Sequence, residues 1–336
     1  DDVMTTIMDV AKLAKVSKTS VSRYLNGQNV GHMSEETKER IIAAIKELDY
    51  QPNSIARSLK QKSTKVIGLV VNDMSNLFFL EIIRGIEMEL KNSGYNLLVC
   101  NSDTNVEMEL QCLKMLEKRQ IDGVILIGMN MPVSHIEKIR TEFPIVLMER
   151  DPGKTNLDSV QIDNKVGAYE AVKHLIERGH QRIAHITGPF ISTMAMERKE
   201  SYEECLKDYG IEVWPQFIVS GNYKLESGYA GMQALMALRE KPTAVFCAND
   251  YMAMGALRFL MEHNYKVPQD VALVGYDDIM VSKMVTPSLT TVRQPVWELA
   301  GVATRLLLER IKEKGQKEHK GQKVIMQSEL VIRASS

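Results

Sequence analysis

Two short amphipathic segments separated by a tight turn open this chain, and they constrain its fold more than any other feature. In the first, Thr6 and Asp9 have the spacing of a helix capping box that precedes an apolar helix face. In the second, Ser17 is placed to cap a helix whose buried side is marked by Val21 and Leu25. The pattern predicts a helix-turn-helix, a motif that reads the major groove of DNA.

The outer face of the second predicted helix carries side chains that form hydrogen bonds. The helix is expected to end at Asn26, which is followed by a glycine that favours a left-handed stop. This face can bind base edges and phosphates, and an ordinary helical hairpin with a solvated polar face is the alternative interpretation. The candidate DNA-binding residues here are Lys18, Thr19, Ser20, Ser22 and Arg23.

Two further segments extend the helical region to about residue 60. Ser34 and the two acidic residues after it are placed to cap a third helix. Residues 53–60 form an N-capped stretch that is too short to be a stable helix in water by itself, so we expect it to become ordered only when packed against something else. The predicted core face of the third helix is Ile41, Ile42, Ala44, Ile45 and Leu48.

Six short motifs occur together in this region. They are Asp9-Val10-Ala11, Val16-Ser17, Val21-Ser22-Arg23, Asn26-Gly27, Tyr50-x-Pro52-Asn53 and Ala56-Arg57-x-Leu59. In this combination they resemble the LacI/GalR family of bacterial transcriptional repressors. The resemblance implies that Lys18, Thr19 and Ser20 read bases. It implies contacts to the DNA backbone or groove for Ser17, Ser22 and Arg23.

The resemblance also implies a hinge helix over residues 53–60. In the family, the hinges of two subunits pair in the minor groove, and an apolar side chain at the position of Leu59 wedges into the central base step. Simple packing within a linker is the alternative for this leucine. The sequence departs from the family at Met8, where an aromatic residue is common, and in a longer connection over residues 28–33. The DNA-binding set is completed by Thr6, Ser17, Asn26, Asn53, Ala56, Arg57 and Leu59.

Composition agrees with this interpretation without requiring it. Through residue 62 the chain has ten Lys and Arg against eight Asp and Glu, an excess of two positive charges, whereas the net charge of the whole chain is −1. This imbalance is weak evidence for a nucleic-acid partner. No long apolar run and no signal peptide are present, so we expect a cytoplasmic protein that does not enter a membrane. Four widely separated cysteines without a C-x-x-C motif predict no disulfide, and we expect no metal or cofactor.

From residue 64 onward, segments typical of strands and helices alternate. Buried strands are predicted at 65–71, 95–100 and 123–127, with helices at 78–93 and 106–118 between them, and the alternation continues to about residue 274. This order predicts parallel βαβ units in two doubly wound subdomains. The resemblance extends here through Asp163-Asn164-x-x-Gly167, Gly179-His180, Gly188-Pro189, Ala248-Asn249-Asp250, Val274-Gly275-Tyr276-Asp277-Asp278 and Pro287-x-Leu289-Thr290-Thr291.

The implied fold is an all-α helix-turn-helix headpiece with a hinge helix, followed by an α/β core like a type I periplasmic binding protein. We expect the headpiece at 4–52, the hinge helix and linker at 53–63, and an effector-binding and dimerisation core at 64–336. In the core, the chain should cross between lobes near Asp163, near Arg293 and between Val324 and Gln327. The predicted N-lobe is about 64–162 plus 294–324, and the C-lobe is about 163–293 plus 325–336.

Candidate ligand-binding residues follow the predicted strands, because ligands of open parallel sheets bind beyond the carboxyl ends of the strands. Aromatic rings cover the apolar face of a sugar, carboxylates and amides bind its hydroxyls, and arginine binds a carboxylate, so the set favours a sugar or sugar acid. Core packing is the alternative for Phe78 and Phe79. From residue order, the candidates are Asn76, Phe78, Phe79, Glu149, Arg150, Arg198, Asn249 and Asp277.

The resemblance adds Tyr223 as a ring that stacks on the ligand, and it places Arg198, Asn249 and Asp277 at ligand-contacting positions. Glu149 stands where the family usually has Asp, and Ser201 stands where Gly is common. Both departures predict a pocket of different shape.

Together these observations predict a ligand-responsive transcriptional regulator that is not an enzyme. Its simplest form is a homodimeric repressor of a carbohydrate catabolic operon that binds double-stranded operator DNA and responds to a small-molecule effector, a sugar or sugar acid. Control by a partner protein, a solute-binding protein that serves a transporter, and a sugar-processing enzyme are the alternatives. The adjacent acids Asp277 and Asp278 carry no accompanying nucleophile motif, which argues against the enzyme.

Overall fold

The computed structural model describes residues 5–25, 32–51, 63–128, 131–139, 143–313 and 320–336. The chain divides into two compact units, residues 1–64 and residues 65–336. The segment 53–60, predicted as a hinge helix, lies outside the described residues, as do the predicted DNA contacts at Asn26, Asn53, Ala56, Arg57 and Leu59.

Three helices form the described part of the first unit: α1 (Ile7–Leu13), α2 (Lys18–Leu25) and α3 (Glu35–Glu47). The Asp9 carboxylate accepts hydrogen bonds from the backbone N–H and the hydroxyl of Thr6, at 2.9 and 2.7 Å. The Ser17 hydroxyl accepts one from the N–H of Ser20 at 3.0 Å, and Ser34 caps α3. The predicted helix starts are therefore confirmed.

A small core joins these helices. Each contributes one fully buried side chain, Val10, Val21 and Ile41 respectively. The predicted core face of α3 is confirmed for Ile41 and Ala44 but is wrong for Ile42, which is 48% exposed. Each residue of a helix turns the chain by about 100°, so the neighbour of a fully buried residue faces away from the same core.

The second unit contains two six-stranded sheets, in the orders β2-β1-β3-β4-β5-β11 and β7-β6-β8-β9-β10-β12. Their pairings are parallel except for that of β10 with β12, which confirms the predicted parallel βαβ pattern. The first sheet comprises β1 (Val66–Val71), β2 (Asn96–Asn101), β3 (Gly123–Ile127), β4 (Ile145–Met148), β5 (Asp158–Ile162) and β11 (Lys323–Met326). The second comprises β6 (Ile183–Thr187), β7 (Ile218–Ser220), β8 (Ala244–Cys247), β9 (Ala272–Asp277), β10 (Thr290–Arg293) and β12 (Glu329–Val331).

Helices cover the sheets and bury an apolar layer on each face. Against the first sheet lie α4 (Leu77–Ser93), α5 (Val106–Lys118), α6 (Val133–Ile139) and α11 (Val296–Lys312). Against the second lie α7 (Asn164–Glu177), α8 (Thr193–Asp208), α9 (Leu225–Met236) and α10 (Asp250–Glu262). We call each sheet with its helices a lobe. No helix among the described residues is long and apolar enough to cross a membrane.

The chain passes between the lobes three times. It leaves the first sheet after β5, returns after β10 so that α11 packs on the first sheet, and leaves again between β11 and β12. Residues 325 and 326 lie in β11, so they belong to the first lobe, whereas the sequence placed them in the second. A Cβ added at Gly85 would lie 2.7 Å from the Cβ of Ala300, so this glycine allows α4 and α11 to pack closely.

Candidate functional site

The exposed face of α2 presents the candidate DNA contacts that the structure describes. Lys18, Thr19 and Arg23 are exposed, and Ser20 and Ser22 are half-buried. The opposite face holds Val21 and packs into the helical core. A helix anchored in this way leaves its cationic and hydroxyl-bearing side available to a groove of DNA.

Two other candidate DNA residues form local caps. The hydroxyl of Thr6 donates to Asp9, and these hydrogen bonds with Thr6 lower the pKa of the Asp9 carboxyl. The hydroxyls of Ser17 and Ser20 lie 2.9 Å apart, so they form a hydrogen bond at the start of α2. Both serines therefore fix the beginning of the helix that presents the candidate base-reading residues.

A cavity of about 550 Å³ lies between the two lobes. Its walls are the loops that follow the strands, which is the position expected for a ligand of parallel sheets. From the first lobe it is lined by Asn72, Asp73, Asn76, Phe78, Phe79, Asp103, Thr104, Val106, Ile127, Gly128 and Glu149. From the second lobe and the crossover after β10 it is lined by Pro189, Ile191, Ser192, Met194, Arg198, Asn222, Tyr223, Lys224, Asn249, Asp277 and Gln294.

Eight of the nine predicted effector residues line this cavity, and Arg150 does not. Its backbone carbonyl accepts a hydrogen bond from Gln161 at 2.9 Å, and its half-buried side chain interacts electrostatically with Glu109 of α5. Glu149, one residue earlier, takes the cavity-facing place at the end of β4. The chain bends directly after β4, where Glu149 has a φ angle of 54°, and its two consecutive side chains have different surroundings.

Residue order also missed several lining residues. Asn72 comes directly after β1, and Gln294 comes directly after β10. The rule that selected Asn76 and Asn249 would have found both, because it applies to any polar residue at the carboxyl end of a strand. Asp73, Asp103 and Lys224 lie further along loops and carry no comparable pattern.

Arg198 is a buried cation that lines the cavity, and only 3% of it is exposed. Its Nε donates to the side-chain oxygen of Asn164 at 2.9 Å, and its Nη1 donates to the carbonyl of Ala248 at 2.5 Å. Its guanidinium lies 3.6 Å from the centre of the Tyr276 ring. These contacts hold the group rigidly and satisfy two of its five N–H donors.

Two buried carboxyl groups share the cavity with Arg198. Glu149 Oε1 accepts from the N–H of Ile162 at 3.0 Å, and Asp277 Oδ1 accepts from the amide nitrogen of Gln294 at 2.7 Å. Burial raises the pKa of Glu149 to about 8, and Arg198 opposes this shift. Burial likewise raises the pKa of Asp277 to about 7, against the opposing effects of Arg198 and Gln294. Both acids are therefore poised to change protonation near neutral pH.

Five cavity residues have positive φ angles, which non-glycine residues rarely adopt. These angles are 48° for Asp103, 57° for Thr104, 54° for Glu149, 66° for Tyr223 and 113° for Asp277. Such conformations are destabilising by about 1–3 kcal/mol each, and they persist where surrounding structure enforces them. Their concentration around one cavity supports the assignment of this cavity as the functional site.

Two predicted ligand residues also fix the framework of the cavity. Asn249 Oδ1 caps α10 by accepting from the N–H of Met252, and Asn249 Nδ2 donates to the carbonyl of Tyr223, both at 2.9 Å. Asn76 Oδ1 caps α4 by accepting from the N–H of Phe78 at 3.0 Å. Each asparagine thus places an aromatic residue at the cavity wall.

The aromatic residues divide between core and cavity. Phe78 is 7% exposed and belongs to the core of the first lobe, while Phe79 is half-buried and packs edge-to-face on it, with ring centres 5.4 Å apart. Both rings nevertheless line the cavity. Core packing is therefore shown for Phe78, and ligand contact by this pair stays a prediction.

Comparison with known proteins agrees with this geometry. Residues 6–53 match the family described as bacterial regulatory proteins of the lacI family, and residues 172–336 match a periplasmic binding protein-like domain. Over 334 residues, the chain is 36% identical to the HTH-type transcriptional repressor PurR of Mannheimia succiniciproducens, covering 99% of this chain and 98% of that protein. The PurR repressor of Histophilus somni is 38% identical over 99% of both chains. The chain belongs to the LacI family.

Solved structures of full-length relatives share the fold of this LacI-family chain. A lac repressor dimer bound to operator and the anti-inducer ONPF gives a TM-score of 0.86 at 28% identity, over 98% of both chains. A complex of the regulator CelR with cellobiose gives a TM-score of 0.74 at 31% identity, over 99% of this chain and 100% of that one. The predicted LacI/GalR resemblance and fold class are confirmed. The protein is a DNA-binding transcriptional repressor of the LacI family and not an enzyme.

Proposed function

We propose that this LacI-family repressor controls a carbohydrate catabolic operon as a homodimer, and that a sugar bound in the cavity changes its affinity for the operator. The observation that carries the proposal is the combination, in one cavity between two lobes, of a buried arginine, two buried carboxyls, several amides and aromatic rings. Carboxyls and amides bind sugar hydroxyls, and rings cover the apolar face of a pyranose.

We propose that different segments of the chain bind DNA and the effector. We assign DNA reading to a headpiece at 4–52, minor-groove contact to a hinge at 53–63, and effector binding and dimerisation to the remainder. Within the headpiece, Lys18, Thr19 and Arg23 project from the exposed face of α2. Within the core, Arg198 and Asp277 are the residues we expect to bind the effector.

The mechanism is a thermodynamic linkage between effector binding in the cavity and operator binding by the headpiece. The cavity walls come from both lobes, so a ligand that contacts both favours one relative arrangement of the lobes. The lobes already touch at the hydroxyl of Tyr251, which donates to the carbonyl of Ser75 at 3.3 Å and accepts from the N–H of Leu77 at 3.4 Å. A coupling of about 1–3 kcal/mol between effector and operator would change operator affinity by about 5- to 150-fold.

A purine is the second candidate effector, favoured by the full-length relatives named PurR. Cellobiose in the CelR complex and ribose in a LacI-family regulator from Enterococcus faecium favour the carbohydrate. Binding of a purine, which is a flat ring system, would depend mainly on stacking against aromatic side chains. In a sugar, hydrogen bonds to many hydroxyls would dominate, and the amide, carboxyl and guanidinium groups that line the cavity can form them.

The experiment is a titration of the full-length protein on its own upstream DNA at fixed salt, repeated with neutral sugars, sugar acids, hypoxanthine and guanine. A sugar that shifts operator affinity at least about fivefold supports the proposal. A shift by a purine alone would replace the carbohydrate with the second candidate. Specific binding that no compound shifts would contradict control by a small molecule and favour a partner protein.

A matched pair of variants locates the effect in the cavity. Arg198→Ala should abolish the response to the effector while operator affinity without effector stays unchanged. Arg258→Ala, which removes an arginine side chain that is 63% exposed and outside the cavity, should leave both properties intact. A normal response in Arg198→Ala would remove this residue from the effector site.

A further inference from the structure

The inner wall of the cavity holds three buried side-chain oxygens that lack a partner among the described residues. They are Asn72 Oδ1, Gln294 Oε1 and Glu149 Oε2. The two amide oxygens are acceptors at any pH, whereas the Glu149 oxygen becomes an acceptor only when its carboxyl, whose pKa burial raises to about 8, is ionised. A buried polar atom without a partner is destabilising, and three such atoms at one cavity wall indicate groups that a ligand satisfies.

The orientation of the two amides follows from their other contacts. The amide nitrogen of Asn72 donates to the backbone carbonyl of Gly128, which can only accept. The amide nitrogen of Gln294 donates to the carboxyl of Asp277 at 2.7 Å. One N–H of each amide is used in this way, and both amide oxygens are left without a partner, so these two oxygens require hydrogen-bond donors from a ligand.

Arg198 does not change this preference of the inner wall for hydrogen-bond donors. Its Nε and Nη1 are occupied by Asn164 and the carbonyl of Ala248, and the Tyr276 ring lies against its guanidinium. Three N–H groups of Arg198 remain, but Nε is not among them, so a bidentate clamp through the edge that contains Nε is not available to a ligand carboxylate. Glu149 and Asp277 are both close enough to act on this arginine electrostatically. A ligand carboxylate placed beside Arg198 would therefore also lie close to these two carboxyl groups.

We propose that the effector of this repressor presents several hydrogen-bond donors and no negative charge to the inner wall, so that neutral or aminated sugars bind and sugar acids and sugar phosphates are rejected. The inference rests on the proposed function, because it narrows the class of ligand for the same cavity. It excludes the sugar acids that residue types alone left open.

The protonation of the cavity acids gives the proposal a second, independent readout. Glu149 faces Arg198, Asp277 and Glu197, and burial raises its pKa to about 8. Hydroxyl or ammonium donors favour the ionised carboxylate, whereas a ligand carboxylate favours the protonated acid. Affinity for a donor-rich ligand should therefore rise between pH 6 and pH 8, and affinity for an acid should fall.

The test is calorimetric titration of the full-length protein at pH 6 and pH 8 with matched probes. The sets are glucose, glucosamine, gluconate and glucose 6-phosphate, and galactose, galactosamine and galacturonate, with hypoxanthine as a separate arm. At pH 8, we expect the neutral or aminated member of a set to bind at least about tenfold more tightly than its acid or phosphate. Glu149→Gln should reduce both this ratio and the pH dependence, and Glu212→Gln, on the exposed surface, should change neither.

Tighter binding of an acid or phosphate than of its neutral parent would overturn the inference. If the same acid shifted operator affinity, the proposed function would still stand. If hypoxanthine binds and its affinity rises with pH, the inner wall does select hydrogen-bond donors, and the effector is a purine and not a sugar. If no probe binds and none shifts operator affinity, the carbohydrate effector fails, and the inference that depends on it fails with it.

Discussion

Replacing Glu149 by Gln should flatten the pH dependence of the stability of the core. Glu149 is 4% exposed, and burial raises its pKa from 4.5 to about 8 in the folded protein. A folded-state pKa above the unfolded value means that the folded state binds the proton more tightly. The stability contributed by the protonated carboxyl is therefore fully present below pH 4.5 and is lost as the pH rises through 8.

The magnitude follows from the same two pKa values. Between pH 6 and pH 8 the unfolded glutamate is already ionised, while the folded one loses about half of its proton. Integrating about 1.4 kcal/mol per pH unit over this range gives a loss of about 2 kcal/mol from this group. A glutamine side chain cannot ionise and keeps an oxygen that can accept from the N–H of Ile162, so the Glu149→Gln variant should lack this loss while preserving the local contact.

Urea unfolding followed by tryptophan fluorescence measures the effect. The two tryptophans, Trp214 and Trp297, both lie in the second unit, so the signal reports the core. The fall in unfolding free energy from pH 6 to pH 8 should be about 2 kcal/mol smaller in Glu149→Gln than in the original protein. Glu212→Gln serves as the control because this residue is exposed. Equal pH dependence in Glu149→Gln and the original protein would refute a buried proton on Glu149.

Three further substitutions test other parts of the chain. Arg310→Ala should lower the unfolding free energy by about 3 kcal/mol in urea denaturation, because it removes a guanidinium that contacts the buried Asp158 carboxylate at 2.8 and 3.1 Å. The control is Arg305→Ala, which should lower the unfolding free energy by less than about 1 kcal/mol because the Arg305 side chain is 55% exposed. Gly255→Ala should destabilise the core by about 1–3 kcal/mol and lower its Tm, since a Cβ there would overlap the backbone of α9, and an unchanged Tm would show that the two helices can separate freely. Leu59→Ala should weaken operator binding about tenfold in a DNA titration with effector affinity unchanged, and equal losses of both would count against a wedge in the minor groove.

Helix starts and parallel strands could be predicted because they depend on neighbours in sequence. The Thr6–Asp9 capping box and the Ser17 cap each join residues that are three apart in the chain, so both partners of each hydrogen bond can be identified from the sequence alone. The prediction was wrong for Ile42 because a helix with more apolar residues than its core can hold leaves some exposed, and only the packing of α1 and α2 decides which.

The cavity could be predicted in part for a similar reason. A residue at or just after the carboxyl end of a parallel strand lies at the edge where ligands bind, and this rule placed Asn249 and Asp277 at the cavity wall. The rule does not say which of two consecutive side chains faces inward, so it could not separate Glu149 from Arg150. The left-handed backbone of Glu149 is set by tertiary contacts and leaves no mark in residue order.

The sequence by itself determined the modules of this protein: a helix-turn-helix, an alternating α/β core, and the polar residue types at the strand ends. Only the tertiary structure decided the chemistry of the cavity. Whether Arg198 can clamp an acid depends on Asn164, Ala248 and Tyr276, which are distant in sequence and meet it only in the fold. Hydrogen-bond partners and burial fix the charge and donor balance of a site, and both are properties of the packed chain.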